Sequence, residues 1–338
     1  VKRLVFSLGF IAIIALIAWT LIRSVPPEPG KNLPQGWNIV RPPRDVAALL
    51  VEQNEVWTGG VEGVWNVDRR TLLARPAFPA DNGPQHVHAL LRDSDGALLI
   101  GHDGGLTRLE KGQAEKIELP AGFKPVMVLS LHITRGGALW VGTDRGAAIR
   151  EGGVWRALHV SDGLANEVVN SLYEDQDDGM WVGSYDAPRG GVSHRSRDGR
   201  WQSWYVKDGL PHANITSICP EGQSRIWAGG GLLDRGGAAC FEQSGESWRL
   251  NHVLGKKDGL AGEKVRSIFL DSKNRFWFGS EYDGLAVRIG AKWKVYRQAD
   301  GLSNPEIKVI REDSDGNLWL GTRDGITRIK AAALPSAL

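Results

Sequence analysis

Five side chains spread through the sequence, His86, His102, His212, Glu167 and Glu263, are of the types that bind a divalent metal and move protons. They contain no repeated metal-ligand motif, and the sequence has no nucleophile elbow. Asp93-Ser94-Asp95-Gly96, Asp313-Ser314-Asp315-Gly316 and Asp175–Gly179 resemble calcium loops, but they lack the six-residue spacing to glycine and the distal glutamate. Asx/Gly chemistry predicts turns at all three. On these grounds no catalytic residue, metal or cofactor is assigned.

A second polar set is more ordered. His88, Asn170, Thr216, Arg266 and Lys308 each stand second in a strand-like segment, in a series completed by Ala47 and Met127, between mainly Val, Ile, Ser and Ala neighbours. Polar variation at one register between apolar residues predicts side chains reaching a water-filled channel, with Arg266, Lys308 and His88 giving a one-sided charge. The residues just before them, including Asp45, His86, Asn214, Lys264 and Glu306, are expected at the channel mouth, with His102 and His212 in nearby loops. Two further loops, Ser184–Gly191 and Gly230–Gly237, are expected on the same face and add Asp186, Arg189, Asp234 and Arg235 as candidate contacts.

The elements that must position these residues follow from a repeat. Trp-x-Gly or a close variant ends at Gly59, Gly101, Gly142, Gly183, Gly229, Gly279 and Gly321, with successive intervals of 42, 41, 41, 46, 50 and 42 residues. That period holds four short strands with their turns. The sixth unit reads Val265–Asp271, Arg275–Gly279, Leu285–Ile289 and Trp293–Arg297, with Asp/Asn/Gly turns between. A four-stranded sheet of this size cannot bury both faces alone, so the predicted fold is an all-β, seven-bladed propeller of antiparallel blades, labelled a to d from the inside out. The seventh unit has strands a (Ile307–Asp313), b (Asn317–Thr322) and c (Gly325–Lys330) but no Trp-initiated strand d. Trp37–Arg41, at the other end, is predicted to supply it and close the ring.

The same reading divides the chain into a stub at 1–3, an apolar span at 4–22, a Pro/Gly-rich spacer at 23–35, the propeller at 36–331 and a tail at 332–338. The span would be about 28 Å long as a helix, close to the bilayer core, and no good cleavage site follows it. It is read as an uncleaved membrane anchor, with Lys2 and Arg3 favouring a propeller outside the cytoplasm. Lys and Arg total 41 against 39 Asp and Glu, which disfavours nucleic acid as a partner. Cys219 and Cys240 are predicted on strands a and c of blade five, two strand spacings apart, as unpaired buried thiols. Six of the fourteen tryptophans share the strand b position and five begin strand d, which is a pattern of burial; Trp65 and Trp204 lie off it and are candidates for exposure.

In Asp313-Ser314-Asp315-Gly316-Asn317-Leu318-Trp319-Leu320-Gly321-Thr322, and in the Asp-Gly-Leu elements at 162–164, 208–210, 258–260 and 300–302, the sequence resembles the two-component regulator propeller repeat. That repeat occurs in periplasmic sensor regions of hybrid histidine kinases. The resemblance implies sensing or binding outside the cytoplasm; no kinase segment follows the seventh repeat here, so output is expected from an unidentified envelope or membrane protein, with a small ligand as the other candidate partner. The alternative is a metal-dependent lyase or hydrolase: streptogramin lyases, which the chain resembles as a seven-bladed propeller, use histidines, a glutamate and magnesium at one channel mouth. The expected role is a non-enzymatic, membrane-anchored binding module, either sensor or scaffold.

Overall fold

The structure, a computed structural model, describes residues 33–79, 82–124, 126–245 and 247–338. The stub, the expected membrane anchor and nearly all of the spacer lie outside the described residues. Among the described residues, no helix is long and apolar enough to cross a membrane.

Seven four-stranded antiparallel sheets form the ring. Blade six has strands a (Val265–Leu270), b (Phe276–Ser280), c (Leu285–Ile289) and d (Lys292–Tyr296). In blade seven, strand c (Gly325–Ile329) is flanked by the N-terminal strand Trp37–Val40, paired antiparallel from Trp37↔Ile329 to Val40↔Ile326. This latch joins the two ends of the ring with backbone hydrogen bonds, as the missing seventh strand d predicted.

The core lies between the blades. Among the described residues there are seven apolar clusters, one for each blade-to-blade interface. Strand b supplies the largest members: Trp181, Trp227, Trp277 and Trp319 are essentially inaccessible to water. Each indole N–H also needs an acceptor, and an acid near the turn between strands a and b provides it. Trp181 donates to Asp175 at 3.0 Å, Trp227 to Glu221 at 2.8 Å, Trp277 to Asp271 at 2.7 Å and Trp319 to Asp313 at 2.9 Å. The other oxygen of Asp313 accepts the backbone N–H groups of Asp315 and Asn317, so the calcium-like segment is a turn that also fixes a tryptophan. Trp204, a candidate for exposure, is 7% exposed and stacks on Trp181 at 5.6 Å. Both cysteines are buried free thiols, opposite Trp227 from either side, and burial pushes each to about 12.

The Asp-Gly-Leu elements cap strand d and lead back to the next strand a. Asp300 accepts the N–H of Arg297 at 2.7 Å, Gly301 adopts φ 114°, and Leu302 is fully buried. A left-handed residue is needed here, and only glycine adopts it without cost.

The repeat glycine of strand b has a separate reason. A Cβ on Gly279 would lie 2.3 Å from Ser267 Oγ and 2.7 Å from the Ile307 carbonyl oxygen of the next blade. Gly279→Ala is therefore expected to destabilise by about 1–3 kcal/mol. Gly136→Ala, whose nearest neighbouring atom would be 3.8 Å away, should stay within about 0.5 kcal/mol of the parent. Equilibrium unfolding in urea compares the two; equal stabilities would refute the packing argument.

Candidate functional site

Strand a lines the central channel, and a bulge decides which of its residues enters. In blades two to seven the ladder between strands a and b skips one residue, with shifts at Val87/Ala89, Val128/Ser130, Val169/Ser171, Ile215/Ser217, Val265/Ser267 and Ile307/Val309. The skipped residues are His88, Leu129, Asn170, Thr216, Arg266 and Lys308, and all six line a channel cavity of about 240 Å³ together with Ala47. A bulge re-aims one side chain out of the sheet alternation, which is how a residue of an interface-packed strand comes to face the ring axis. Blade three is a correction: its channel residue is Leu129, whereas Met127 sits two positions earlier in the connection from strand d and is exposed. The bulge fixes the register, and the apolar sequence around it does not reveal the offset.

The charges at the mouth are paired. Lys308 Nζ lies 2.7 Å from Asp45 and 3.9 Å from Glu306; Arg266 lies 3.4 Å from Glu306 and 3.7 Å from Glu281; Lys264 contacts Glu281. Three cations and three carboxylates thus form one chain of contacts across blades six, seven and one. On the opposite side His88 Nε2 meets Asp103 Oδ1 at 2.6 Å. The expected one-sided positive field is therefore neutralised locally. Lys264 is only 4% exposed in its side chain, so it serves this network beneath the surface and is not an open mouth contact. Asn214 and Glu306 are likewise buried. Asp103 and Glu281 were missed as partners. Each is the first residue after strand b of its own blade, a register that could have found them.

The histidine and glutamate candidates do not converge. His102 uses both ring nitrogens within blade two, with Thr107 Oγ1 at 3.0 Å and the Gly104 N–H at 3.0 Å. His212 accepts the Asn214 N–H; burial, then Lys264 and Arg235, lower its pKa. Glu167 engages His159 at 3.1 Å, Glu263 accepts the Lys256 N–H, and His86 sits exposed at φ 50°. No group of three or more His, Cys, Asp or Glu side chains able to hold a metal is found among the described residues.

Of the two long connections, Ser184–Gly191 is a loop in which Arg189 meets Asp186 at 3.2 Å. The second is not a loop. Strands b (Arg225–Leu232) and c (Arg235–Ser244) of blade five continue through it as a hairpin with Leu232↔Arg235 as the last pair. The glycines Gly230, Gly231, Gly236 and Gly237 allow this because their would-be Cβ positions fall within about 2.0–2.5 Å of backbone oxygens. The apex is Leu233-Asp234, with Leu233 at φ 53°.

The profile of the two component regulator propeller matches residues 163–186, 259–282 and 301–324, each running from the Asp-Gly-Leu glycine through strands a and b to the b–c connection. These are two component regulator propeller repeats. The chain is similar in structure to the extracellular domain assigned to a hybrid two component system, BT3049 from B. thetaiotaomicron, with TM-score 0.76 and 18% identity over 88% of this chain and 41% of that one. It is also similar to PorZ, described as an essential surface component of the type-IX secretion system of Porphyromonas gingivalis, with TM-score 0.63 and 15% identity over 87% of this chain and 47% of PorZ. Virginiamycin B lyase from Staphylococcus aureus has TM-score 0.65 and 12% identity, over 87% and 98% of the two chains. The chain thus spans less than half the length of the BT3049 domain and of PorZ, and at these identities the likenesses show the fold. No curated protein matches the sequence.

The mouth network predicts acid sensitivity. Burial raises the Glu281 carboxyl, but hydrogen bonds from Lys264 and Tyr282 and the Arg266 charge outweigh it, leaving it below its ordinary value of 4.5. A carboxyl lowered on folding contributes stability above its unfolded pKa and loses it as pH falls through the folded one. Glu281→Gln should therefore lower Tm at pH 7, where Lys264 loses its counterion, and flatten the fall in Tm below about pH 4.5. Melting curves of parent and variant across that range test this; parallel curves would rule out the linkage.

Proposed function

We propose that this propeller is a non-enzymatic binding module that works outside the cytoplasm, held at the membrane by residues 4–22, and that it presents the face carrying the b–c connections to a protein partner. One observation carries the choice of face. Of nine exposed large apolar side chains among the described residues, seven lie on it: Val61, Met127, Val160, Val206, Leu232, Leu233 and Tyr282. Only Leu73, in the c–d turn of blade one, and Val154, the first residue of strand d in blade three, lie at the opposite end. Apolar side chains gathered on one surface of a soluble ring favour a protein interface.

The blade-five hairpin is the strongest part of that face. Leu233 is 64% exposed and holds φ 53°, a conformation that favours glycine, so the apex spends both solvation and backbone energy on an apolar side chain. Such a residue is explained by what it touches in a complex. Arg235 and the Asp186–Arg189 loop supply polar groups beside it, in keeping with an apolar centre and polar rim. The similarity to extracellular sensor domains supports a sensory role, and that to PorZ supports an assembly role; both need a partner to act through. The lyase alternative has no comparable support, because its histidines and glutamates do not converge on one site among the described residues.

A photo-crosslinking amino acid at position 233 of the full chain, activated in native membranes, should give a discrete adduct with an envelope protein, while the same probe at Asn274 on the opposite face should not. Adducts of equal yield at both positions, or none at position 233, would overturn the assignment. Leu232→Ser with Leu233→Gly should abolish capture at a Lys257 probe while leaving Tm equal or higher, since glycine relieves the apex backbone by about 1 kcal/mol.

A further inference from the structure

Three residues beyond the Lys308 bulge, roughly 10 Å deeper along strand a, Arg311 also lines the channel. Its register is that of the residue opposite the strand b tryptophan. The other blades place Leu50, Leu91, His132, Tyr173, Cys219 and Phe269 there. Five of these, Leu50, Leu91, Tyr173, Cys219 and Phe269, pack in the clusters between blades. An arginine at such a position is a departure from the repeat that packing does not require.

Arg311 is enclosed by the ring, yet its side chain remains exposed to the channel space. Its recorded hydrogen bond runs from Nη1 to its own residue's neighbour, the Ile310 carbonyl oxygen, at 2.8 Å. No carboxylate of the described residues forms an ion pair with it, whereas Arg266 and Lys308 above it are both paired. The adjacent Glu312 is turned away, accepting from the Ser272 N–H and hydroxyl at 2.7 and 2.8 Å. Crowding by the surrounding ring pulls the guanidinium below its ordinary pKa, and the Cys219 thiol opposes this only in part.

We infer that the deep part of the central channel is a binding site for a small oxyanion, a carboxylate or a phosphate, held by the Arg311 guanidinium. The fork of N–H donors suits two oxygens of one group, and a cavity of about 240 Å³ limits the ligand to a small molecule or the end of a longer one. The mouth network admits such an anion without competing for it, because its cations are already matched by Asp45, Glu281 and Glu306. This site is independent of the apolar face assigned to a protein partner.

Calorimetric titration of the purified full chain in low-chloride buffer, with inorganic phosphate and separately with succinate, tests the inference. Saturable binding of at least one probe is expected; phosphate alone marks a phosphate site and succinate alone a carboxylate site. Arg311→Met should weaken that binding roughly tenfold or more, whereas Arg156→Ala, exposed on strand d of blade three, should leave it unchanged. Should Arg311→Met fail to fold, Arg311→Lys keeps the charge but loses the fork and should bind several-fold more weakly. No saturation by either probe, or unchanged affinity in the folded Arg311 variant, would overturn the site.

Discussion

The whole ring rests on how closely strand b of one blade approaches strand a. A Cβ placed on any of the seven repeat glycines would lie 2.1–2.6 Å from a side-chain atom of strand a, either in its own blade, as at Gly142 and Ser130, or in the next, as at Gly59 and Val87. Real Cβ contacts are not that short, so any other residue at these positions forces the neighbouring strand to shift. The distance set by glycine lets the flanking tryptophan close the interface on its outer side. It also lets Ser130 and Ser267 donate across it to Val169 and Ile307 carbonyls at 3.1 and 3.0 Å. At the interfaces between blades three and four and between blades six and seven, a tight backbone approach, a buried indole and an inter-blade hydrogen bond thus act together. Strand a is held by two blades at once, and that double hold makes its bulge residue a stable lining for the channel.

The sequence carried most of this architecture openly because the constraint recurs. Seven glycines at a nearly fixed interval, with tryptophan two residues before six of them, specify the blades; the absence of a Trp-initiated strand after Lys330 and its presence at Trp37 specify the latch. The channel was legible where the bulge residue was polar, at His88, Asn170, Thr216, Arg266 and Lys308. It was misread where that residue was Leu129, because an apolar bulge residue looks like its neighbours. The hairpin of blade five was read as a loop because glycine is a turn signal, whereas here Gly230, Gly231, Gly236 and Gly237 serve close packing between two extended strands. The charge pairing could not be read from strand a alone, since each partner comes from another segment: Glu281 follows strand b, and Asp45 lies 263 positions before Lys308.

Ring geometry also explains why two different chemistries can share one end of the molecule. The channel is lined by strand a, so its polarity is set by six bulge positions and Ala47 close to the axis. The surrounding face is built from b–c connections and the turns entering strand a, which are free to vary in length because strands fixed elsewhere carry the fold. Blade five lengthens its connection into a hairpin and blade four into a loop, without altering the interfaces beneath them. The apolar side chains gather on these connections, and the ion pairs stay at the mouth inside them. A partner that buried the rim would leave the network of Lys264, Glu281, Arg266, Glu306, Lys308 and Asp45 with its charges already compensated, so docking there need not strand a buried charge.

That arrangement constrains how such a module could transmit information. A ligand shifts a conformational equilibrium only by its differential affinity for two states. Here a channel side chain such as Arg266 sits on a strand held between two apolar interfaces, and ring closure by Trp37–Val40 removes the open edge along which blades could slide. Large changes of blade angle would have to break several of these clusters together. The less costly responses lie in the elements outside the constraint, the blade-five hairpin and the blade-four loop. Arg235 of the hairpin is close enough to His212 to affect its charge, and the hairpin backbone packs on Glu263 and Lys264 at the mouth. A change in channel occupancy is then best conveyed by altering the pose of that hairpin toward whatever it touches, with the ring acting as the fixed reference against which the pose is set.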